Sequence, residues 1–176
     1  MSSFKMLEAR TLRNESKGGL IQLVSRGSSA TAYALALLSQ NPQALALWIS
    51  DEGLLYPALL PLWNIPLQSI VLIQAKSHSD VWKTGLEAVR SGLFDFVLLR
   101  PSRPCHAHFL RKLQIQAEHT QRNVFLLCQS QLPHWVLKNR LEVSSHIYEN
   151  PLFPKPFSLH SAGRSLLCAY TKSLAC

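Results

Sequence analysis

The sequence predicts an α/β fold in which a mostly parallel β-sheet is flanked by helices. Short runs that are apolar throughout alternate with longer segments of helical periodicity, which is the order typical of βαβ units. Strands buried on both faces of a parallel sheet have this uninterrupted apolar pattern, whereas half-exposed strands alternate. The five runs are Leu20–Val24, Leu45–Ile49, Ile70–Ile73, Phe94–Leu99 and Val124–Cys128.

Helices are expected in the segments between these runs, namely Ser28–Gln40, Tyr56–Trp63, Asp80–Ser91 and His106–Arg122. The third of these has the clearest end signals. Ser79 or Asp80 can cap its first turn, and the Ser91-Gly92 pair is typical of a helix end.

The pattern changes after Cys128. Residues 140–148 alternate between apolar and polar side chains, which predicts an antiparallel strand near a sheet edge. The Pro-rich PLFPKPF segment should be extended, and residues 158–173 could form a short amphipathic helix. We therefore expect an N-terminal arm (residues 1–17), one core (18–150) and a Pro-rich basic C-terminal tail (151–176).

Composition excludes a disordered or membrane-spanning chain. Of the 176 residues, 47% are hydrophobic and only 16% charged, and no apolar run approaches the ~20 residues of a membrane span. The first 17 residues lack the apolar stretch of a signal peptide, so we expect a cytoplasmic protein. The four cysteines show neither CxxC pairs nor zinc spacing; we expect reduced thiols, a buried Cys128 and no metal site.

The net charge of +8 favours an anionic partner such as nucleic acid, and it is unevenly distributed. Residues 51–99 contain three basic and five acidic side chains, whereas residues 100–149 contain seven basic and three acidic ones. The tail contains three basic side chains and no acidic one. The positive charge is therefore concentrated in the second half of the core and in the two terminal segments.

The loop after the first strand is the expected phosphate site of such a fold, and it reads SRGSSATA. A phosphate-binding loop needs the pattern G-x-x-x-x-G-K-[ST], in which the Lys neutralises phosphate and the hydroxyl holds Mg²⁺. Here Ser25 and Ala30 replace the two glycines, Thr31 replaces the Lys, and Ala32 replaces the hydroxyl residue. No nucleotide binding is expected, and no cofactor is predicted.

The same segment, GGLIQLVSRGSSATAYALALL, resembles the first strand, phosphate loop and helix of RecA. The similarity extends over residues 18–149 through WISDEGLLYPALLPLWNIPLQSIV, VRSGLFDFVLLRP and NRLEVSSHIY. On this resemblance Glu52 matches the water-activating glutamate and Arg100 stands at the Mg²⁺-binding Asp position. A RecA-like fold without NTP hydrolysis is implied, because the Lys, the hydroxyl and the Asp are all missing. Alternatively, Glu52 caps the following turn together with Asp51.

Two families with such degenerate cores resemble the chain. VWKTGLEAVRSGLFDFVLL and LLYPALLPLWNIPLQSIVLI are similar to ImuA, an accessory of the SOS mutagenesis complex. That resemblance implies a DNA-repair adaptor in translesion synthesis, with an ImuB-type polymerase paralogue, RecA or DNA as partners. The alternative is SulA, the SOS cell-division inhibitor that binds FtsZ. SulA has a longer N-terminal arm and ends soon after the last strand, and this chain does the opposite. An active NTPase is the least favoured class.

Basic side chains with one stackable ring suit single-stranded DNA. The candidate DNA-binding residues are Arg100, Arg103, Arg111, Lys112, Trp135, Lys138 and Arg140. The alternative is a solvated basic face with Trp135 in the core. The candidate partner-binding residues are Trp63, Phe153, Lys155, Phe157, Arg164 and Lys172. Burial of Trp63 against the sheet is equally compatible with its apolar neighbours.

Overall fold

An eight-stranded sheet, in the order β3-β2-β4-β5-β1-β6-β7-β8, is the centre of the computed structural model, which describes residues 18–25, 27–104, 106–129, 139–145, 157–161 and 164–168. The strands are β1 (Gly19–Val24), β2 (Ala46–Ser50), β3 (Ile70–Gln74), β4 (Phe96–Arg100), β5 (Asn123–Cys128), β6 (Asn139–Ser145), β7 (Phe157–Ser161) and β8 (Arg164–Cys168). The helices are α1 (Ser29–Ser39), α2 (His78–Ser91) and α3 (Ala107–Thr120). Strands β1 to β6 run parallel to one another, and β7 and β8 are antiparallel additions, so the predicted mostly parallel α/β fold is confirmed.

Two apolar clusters, one on each face of the sheet, form the core. The α1-side cluster contains Leu38, Trp48 and Leu98, while the α2/α3-side cluster contains Leu99 and Leu113. Adjacent residues of one strand enter opposite clusters because side chains alternate along a strand. The strands are apolar on both faces for this reason, which is the pattern that predicted them.

Helix α2 packs closely on β4. It is capped by Ser77, whose Oγ accepts from the Asp80 N–H at 3.3 Å, so the cap lies two residues before the predicted Ser79. It ends at Gly92, which has a φ of 64°, a conformation that glycine adopts without strain. Within the helix, a Cβ added at Gly85 would lie 2.8 Å from the end of the Leu99 side chain, which would have to shift to admit it.

The predicted helix over Tyr56–Trp63 is wrong. The segment forms two 3₁₀ turns, Pro57–Leu59 and Pro61–Trp63, and a third turn, Leu67–Ser69, precedes β3. Two prolines four residues apart prevent a continuous α-helix, because each lacks an N–H and clashes with the preceding turn. The segment is held to the α1-side cluster by buried side chains that include Leu60 and Ile65.

The late part of the chain also differs from prediction. The sheet does end in antiparallel pairing late in the chain, but not at residues 140–148. Strand β6 lies inside the sheet, where it pairs in parallel with β1, with Gln22 opposite Arg140, and antiparallel with β7. The antiparallel strands are β7 and β8. They occupy most of residues 157–168, a region where the sequence predicted an amphipathic helix over residues 158–173. The alternation in β6 is real, since Val143 is buried and Glu142 exposed. It does not reveal strand direction, which depends on the partners β1 and β7.

Two of the predicted segments lie largely outside the described residues: the N-terminal arm (1–17) and the Pro-rich stretch that begins the tail. Strands β7 and β8, which belong to residues 151–176, extend the same sheet as the core. Over the described part of the chain, no helix combines the length and the apolar character needed to cross a membrane.

Candidate functional site: the cleft at the carboxyl ends of the parallel strands

An open cleft of about 420 Å³ lies where the carboxyl ends of β1, β2, β4 and β5 meet. In open α/β sheets this edge is where ligands bind, because the connecting loops there surround a crevice. The lining residues are Ser25, Gly27, Ala30, Thr31, Glu52, Arg100, Pro101, Ser102, Arg103, Pro104, Leu127, Cys128 and Gln129. The cleft thus combines the degenerate phosphate loop with the two positions that the RecA resemblance singled out, Glu52 and Arg100. We call it the strand-end cleft.

The loop after β1 is closed on itself by a serine hydroxyl. Ser25 is buried, and its Oγ donates to the Gly27 carbonyl at 3.0 Å and accepts from the Ala30 N–H at 3.1 Å. The Ser25 N–H donates to the Cys128 carbonyl at 3.1 Å, which ties the loop to β5. The backbone N–H of Ala30, in the first turn of α1, therefore has a partner within the protein. An anion at the N-terminus of α1 therefore cannot use this N–H without displacing Ser25 Oγ.

The side chains that a phosphate site needs are absent from the first turn of α1. Thr31 and Ala32 are both half-buried there, at the positions of the Lys and of the metal-binding hydroxyl. The Ala32 N–H donates to the Ser28 carbonyl at 2.9 Å. Neither side chain carries a positive charge, and Ala32 has no oxygen to offer a metal ion.

An ion pair spans the strand-end cleft. Arg100 Nε, at the end of β4, lies 3.6 Å from Glu52 Oε2, in the loop after β2. Each side chain is 40% exposed, so water screens the pair and its contribution to stability is at most about 1 kcal/mol. On the RecA resemblance, the guanidinium of this pair stands where a carboxylate would hold Mg²⁺.

Asp51 joins two loops of the cleft instead of capping its own turn. Its carboxylate accepts from the Ser102 N–H at 2.8 Å and from the Ser102 hydroxyl at 2.5 Å. Glu52 is engaged with Arg100, and its N–H donates to Ser50 Oγ at 3.2 Å. The alternative that Asp51 and Glu52 together cap the following turn is therefore wrong. Sequence reasoning missed Ser102, and no signal in the sequence pairs it with Asp51.

The candidate DNA-binding residues divide between two places. Arg100 and Arg103 both line the strand-end cleft, while Arg111 and Lys112 are exposed on α3 and do not line it. Only the backbone of Arg140 is described, in β6. Trp135 and Lys138 lie outside the described residues. Among the described residues, the charged side chains that line the cleft are two basic ones and one acidic one, Glu52.

The candidate partner-binding residues are brought together only in part. Trp63 is half-buried and packs against the α1-side cluster, so it belongs partly to the core. Phe157 begins β7 and Arg164 begins β8, and only their backbones are described. Phe153, Lys155 and Lys172 lie outside the described residues. The structure adds a group that the sequence analysis did not single out, the exposed apolar side chains Leu54, Tyr56, Leu59, Leu62, Leu67 and Val71.

Cys128, which was expected to be buried, is half-buried at the wall of the strand-end cleft. Burial raises its pKa from 9.0 to about 11, although a hydrogen bond with the Gln22 side chain lowers it. Thiols react as thiolates, so Cys128 is a poor nucleophile at neutral pH. Among the described residues, no group of three His, Cys, Asp or Glu side chains lies close enough together to hold a metal ion.

Comparison with known proteins identifies the fold. No protein-family model and no curated protein sequence matches the chain. Among solved structures, the RadB recombinase superimposes with a TM-score of 0.60 at 13% identity, covering 80% of each chain. The chain has a RecA-like fold. SulA from Pseudomonas aeruginosa superimposes on it with a TM-score of 0.52 at 21% identity, covering 62% of this chain and 96% of SulA.

The RecA-like fold clarifies the position of the strand-end cleft. The cleft lies beside the loop that joins β1 to α1, the position at which such folds bind phosphate. In this chain, the position is lined by a loop closed through Ser25 and by the Arg100–Glu52 ion pair.

Proposed function

We propose that this RecA-like chain is a non-catalytic binding protein, a pseudo-NTPase whose strand-end cleft does not hydrolyse nucleotide. The Arg100–Glu52 ion pair carries the proposal. Phosphoryl transfer depends on a metal ion and fixed cations placed around the γ-phosphate. A guanidinium 3.6 Å from the carboxylate of Glu52 repels Mg²⁺ and neutralises the side chain that would activate water.

The phosphate loop supports the same proposal independently of the ion pair. Ser25 Oγ accepts the Ala30 N–H, a group that an anion at the start of α1 would otherwise use. Thr31 cannot replace a Lys as a fixed cation. The start of α1 therefore offers a nucleoside triphosphate neither the Ala30 N–H nor a fixed cation at residue 31.

We further propose that the protein is an ImuA-like adaptor in the SOS response, acting in the cytoplasm in DNA-damage-induced translesion synthesis. The proposed partners are an ImuB-type polymerase paralogue, RecA, or both, together with single-stranded DNA. Support comes from the resemblance of residues 54–73 and 81–99 to ImuA. The +8 net charge and Arg103 at the strand-end cleft support contact with an anionic strand.

A second function, inhibition of cell division through FtsZ, is favoured by the similarity to SulA, nearly all of which superimposes on this chain. The two proposals differ in what the remaining residues would do. More than a third of this chain lies outside the superposition with SulA, and strands β7 and β8 extend the sheet beyond β6. An adaptor can use this additional part for its partners.

Pull-down of purified ImuB-type paralogue, RecA and FtsZ by the full chain tests the choice of partner. Retention of the paralogue or of RecA, with loss of damage-induced mutagenesis when the gene is deleted, is the expected result. Retention of FtsZ alone, with filamentation of cells on overexpression, would replace the adaptor proposal by the SulA-like one.

Contact with single-stranded DNA is tested by fluorescence anisotropy with an oligothymidylate. Arg103→Glu should weaken binding, and its control is Arg90→Glu, an exposed arginine in the last turn of α2. That turn leads into the start of β4, at the sheet edge opposite the strand-end cleft. Equal loss of affinity in the two variants would indicate a diffuse charge effect and not a site at the cleft.

A further inference from the structure

A second cavity, of about 250 Å³, lies between the first turns of α2 and α3 and is lined mainly by rings. The aromatic and imidazole side chains that line it are His78, Trp82, His106, His108 and Phe109. The three histidines are exposed, whereas Phe109 is half-buried and Trp82 is buried. The imidazoles are therefore the rings that a molecule arriving from solvent meets first. We call this cavity the ring pocket.

The size and the lining of the ring pocket suit one flat ring system. Cavities that bind drug-sized ligands measure about 300–1,000 Å³, so this one is smaller than they are. The rings of His106 and His108 are nearly parallel, at 14°, with their centroids 5.8 Å apart. A flat ligand that stacks on one of these rings is thus nearly aligned with the other.

The charge around the ring pocket favours an anionic partner. No acidic side chain is among the described residues that line it, and Asp80, in the first turn of α2, accepts from Ser77 Oγ at 2.8 Å. Helix α3 has no acidic residue in its first turn and no side-chain cap, so the positive end of its dipole is not neutralised there. Arg111 and Lys112 are exposed and follow His108 by three and four residues, which places them on the same side of α3.

The ring pocket adjoins the strand-end cleft, because Pro104 lines both. Its neighbour in sequence, Arg103, lines the cleft. Along the chain, the rings at the start of α3 therefore lie between Arg103 on one side and Arg111 and Lys112 on the other. The two separate groups of candidate DNA-binding residues thus flank one ring-lined cavity.

We propose that the ring pocket holds one unpaired base of single-stranded DNA, stacked on the rings of His106 and His108, while the phosphates on either side of that base contact the flanking cations. Stacking on rings accepts any base, because every base has a flat face. A paired base inside a duplex is unavailable for this contact. The pocket therefore selects single strands, which cations alone cannot do, since phosphates are common to both forms. The inference rests on the proposed contact with single-stranded DNA and extends it from the strand-end cleft to the starts of α2 and α3.

Two labelled strands of equal length separate the contribution of bases from that of phosphates in fluorescence anisotropy. One is an oligothymidylate, and the other is an abasic strand, which keeps the phosphates and lacks the bases. We expect the full chain to bind the oligothymidylate about five- to a hundredfold more tightly, the range for one stacked base. His108→Ala should remove most of this preference without changing the affinity for the abasic strand, and His108→Tyr, which keeps a ring, should retain it.

The matched control is His119→Ala, which removes an exposed histidine from the last turn of α3, outside the ring pocket. It should leave the preference unchanged. Arg103→Glu should weaken the binding of both strands alike, because it removes a phosphate contact. Equal binding of the two strands by the wild type, or an unchanged preference in His108→Ala, would overturn the ring pocket and leave the contact at the strand-end cleft standing. Binding of neither strand would overturn both.

The indole N–H signals in NMR spectra supply a second measurement. Trp82 lines the ring pocket, and its buried Nε1 has no hydrogen-bond partner among the described residues, so a base in the pocket should shift its signal. Trp48 Nε1 is in the same condition but lies in the α1-side cluster, on the other face of the sheet, and its signal should not move. Trp82→Phe assigns the signal.

Two results of these measurements would also overturn the proposal. One is a Trp82 signal that responds equally to the oligothymidylate and to the abasic strand. The other is loss of a protein partner from the pull-down in His108→Ala with the preference for bases unchanged, which would assign the ring pocket to a protein.

Discussion

Removing the acidic member of the strand-end cleft should strengthen its binding of single-stranded DNA. Glu52 engages Arg100 at 3.6 Å, so the guanidinium is partly neutralised before any phosphate arrives. Glu52→Gln keeps the size of the side chain and removes its charge. The charged side chains that line the described part of the cleft would then be two cations, Arg100 and Arg103.

The size of the effect follows from the geometry. Two unit charges 3.6 Å apart interact by about 1 kcal/mol in water and about 4–5 kcal/mol at an effective dielectric constant of about 20. Both side chains are 40% exposed, which brings the figure down to about 0.5–1 kcal/mol. We therefore expect binding about two- to fivefold tighter. One additional phosphate contact should steepen the dependence of log K on log salt by about 0.7.

Fluorescence anisotropy of a labelled oligothymidylate at several salt concentrations measures both quantities. Glu87→Gln is the control, because it removes an equal charge from an exposed position of α2 that does not line the cleft. If Glu52→Gln and Glu87→Gln behave alike, or if Glu52→Gln weakens binding, Arg100 is not a phosphate contact and the reasoning fails.

Three further predictions concern the scaffold and the thiol. In Gly85→Ala the new Cβ meets the end of the Leu99 side chain at 2.8 Å, and the overpacking of about 1–3 kcal/mol is offset by about 1 kcal/mol from the higher helix propensity of Ala. We expect a net destabilisation of up to about 2 kcal/mol in urea unfolding and a smaller one in a Leu99→Val background; equal effects in the two backgrounds would refute the contact. Gln114→Leu should lower the free energy of unfolding by about 1–3 kcal/mol, since the buried Leu20 N–H loses the acceptor that lies at 2.9 Å. An unchanged urea midpoint would contradict this. Because folding raises the Cys128 pKa from 9.0 to about 11, the folded state holds that proton more tightly, so stability should fall as pH rises from 9 to 11. In Cys128→Ala the free energy of unfolding should fall less steeply between pH 9 and 11. A pH profile parallel to that of the wild type would show that Cys128 does not cause the fall.

The first five strands and the three α-helices could be predicted from the sequence because their signals are local. The apolar runs around Trp48 and Leu98 are buried on both faces, and that burial produces the uninterrupted pattern. Helix α2 has a serine cap and a terminal glycine within its own sequence. Such signals require no knowledge of the remainder of the chain.

The errors arose where the outcome depends on partners distant in sequence. The direction of β6 is set by pairing with β1, whose residues lie more than a hundred positions away. Residues 158–173 have an apolar spacing that a helix would also show, and only β6 supplies the edge on which β7 forms. The helix predicted over Tyr56–Trp63 was an error of another kind, because Pro57 and Pro61, which prevent it, are visible in the sequence.

The candidate site shows the same difference between signals that the sequence carries and contacts that only the fold creates. The RecA resemblance brought Ser25, Glu52 and Arg100 to one edge of the sheet, and all three line the strand-end cleft. The contact between Asp51 and Ser102 joins loops 51 residues apart and has no signature in the sequence. The RecA resemblance grouped Arg111 with Arg103 because the helix that carries Arg111 lies between the two DNA-facing loops, but Arg111 does not line the cleft.

An assay of Mg²⁺-ATP hydrolysis by the purified chain tests directly whether the strand-end cleft is inactive as an NTPase. We expect no turnover above the protein-free baseline and no Mg²⁺-dependent rise in Tm with ATP, because Arg100 repels the metal ion, Thr31 supplies no cation and Ala32 supplies no metal ligand. A RecA-type ATPase in the same assay serves as the positive control. Saturable Mg²⁺-dependent hydrolysis by the wild type would contradict the pseudo-NTPase proposal. Its loss in Glu52→Gln would show that the activity does not come from a contaminant.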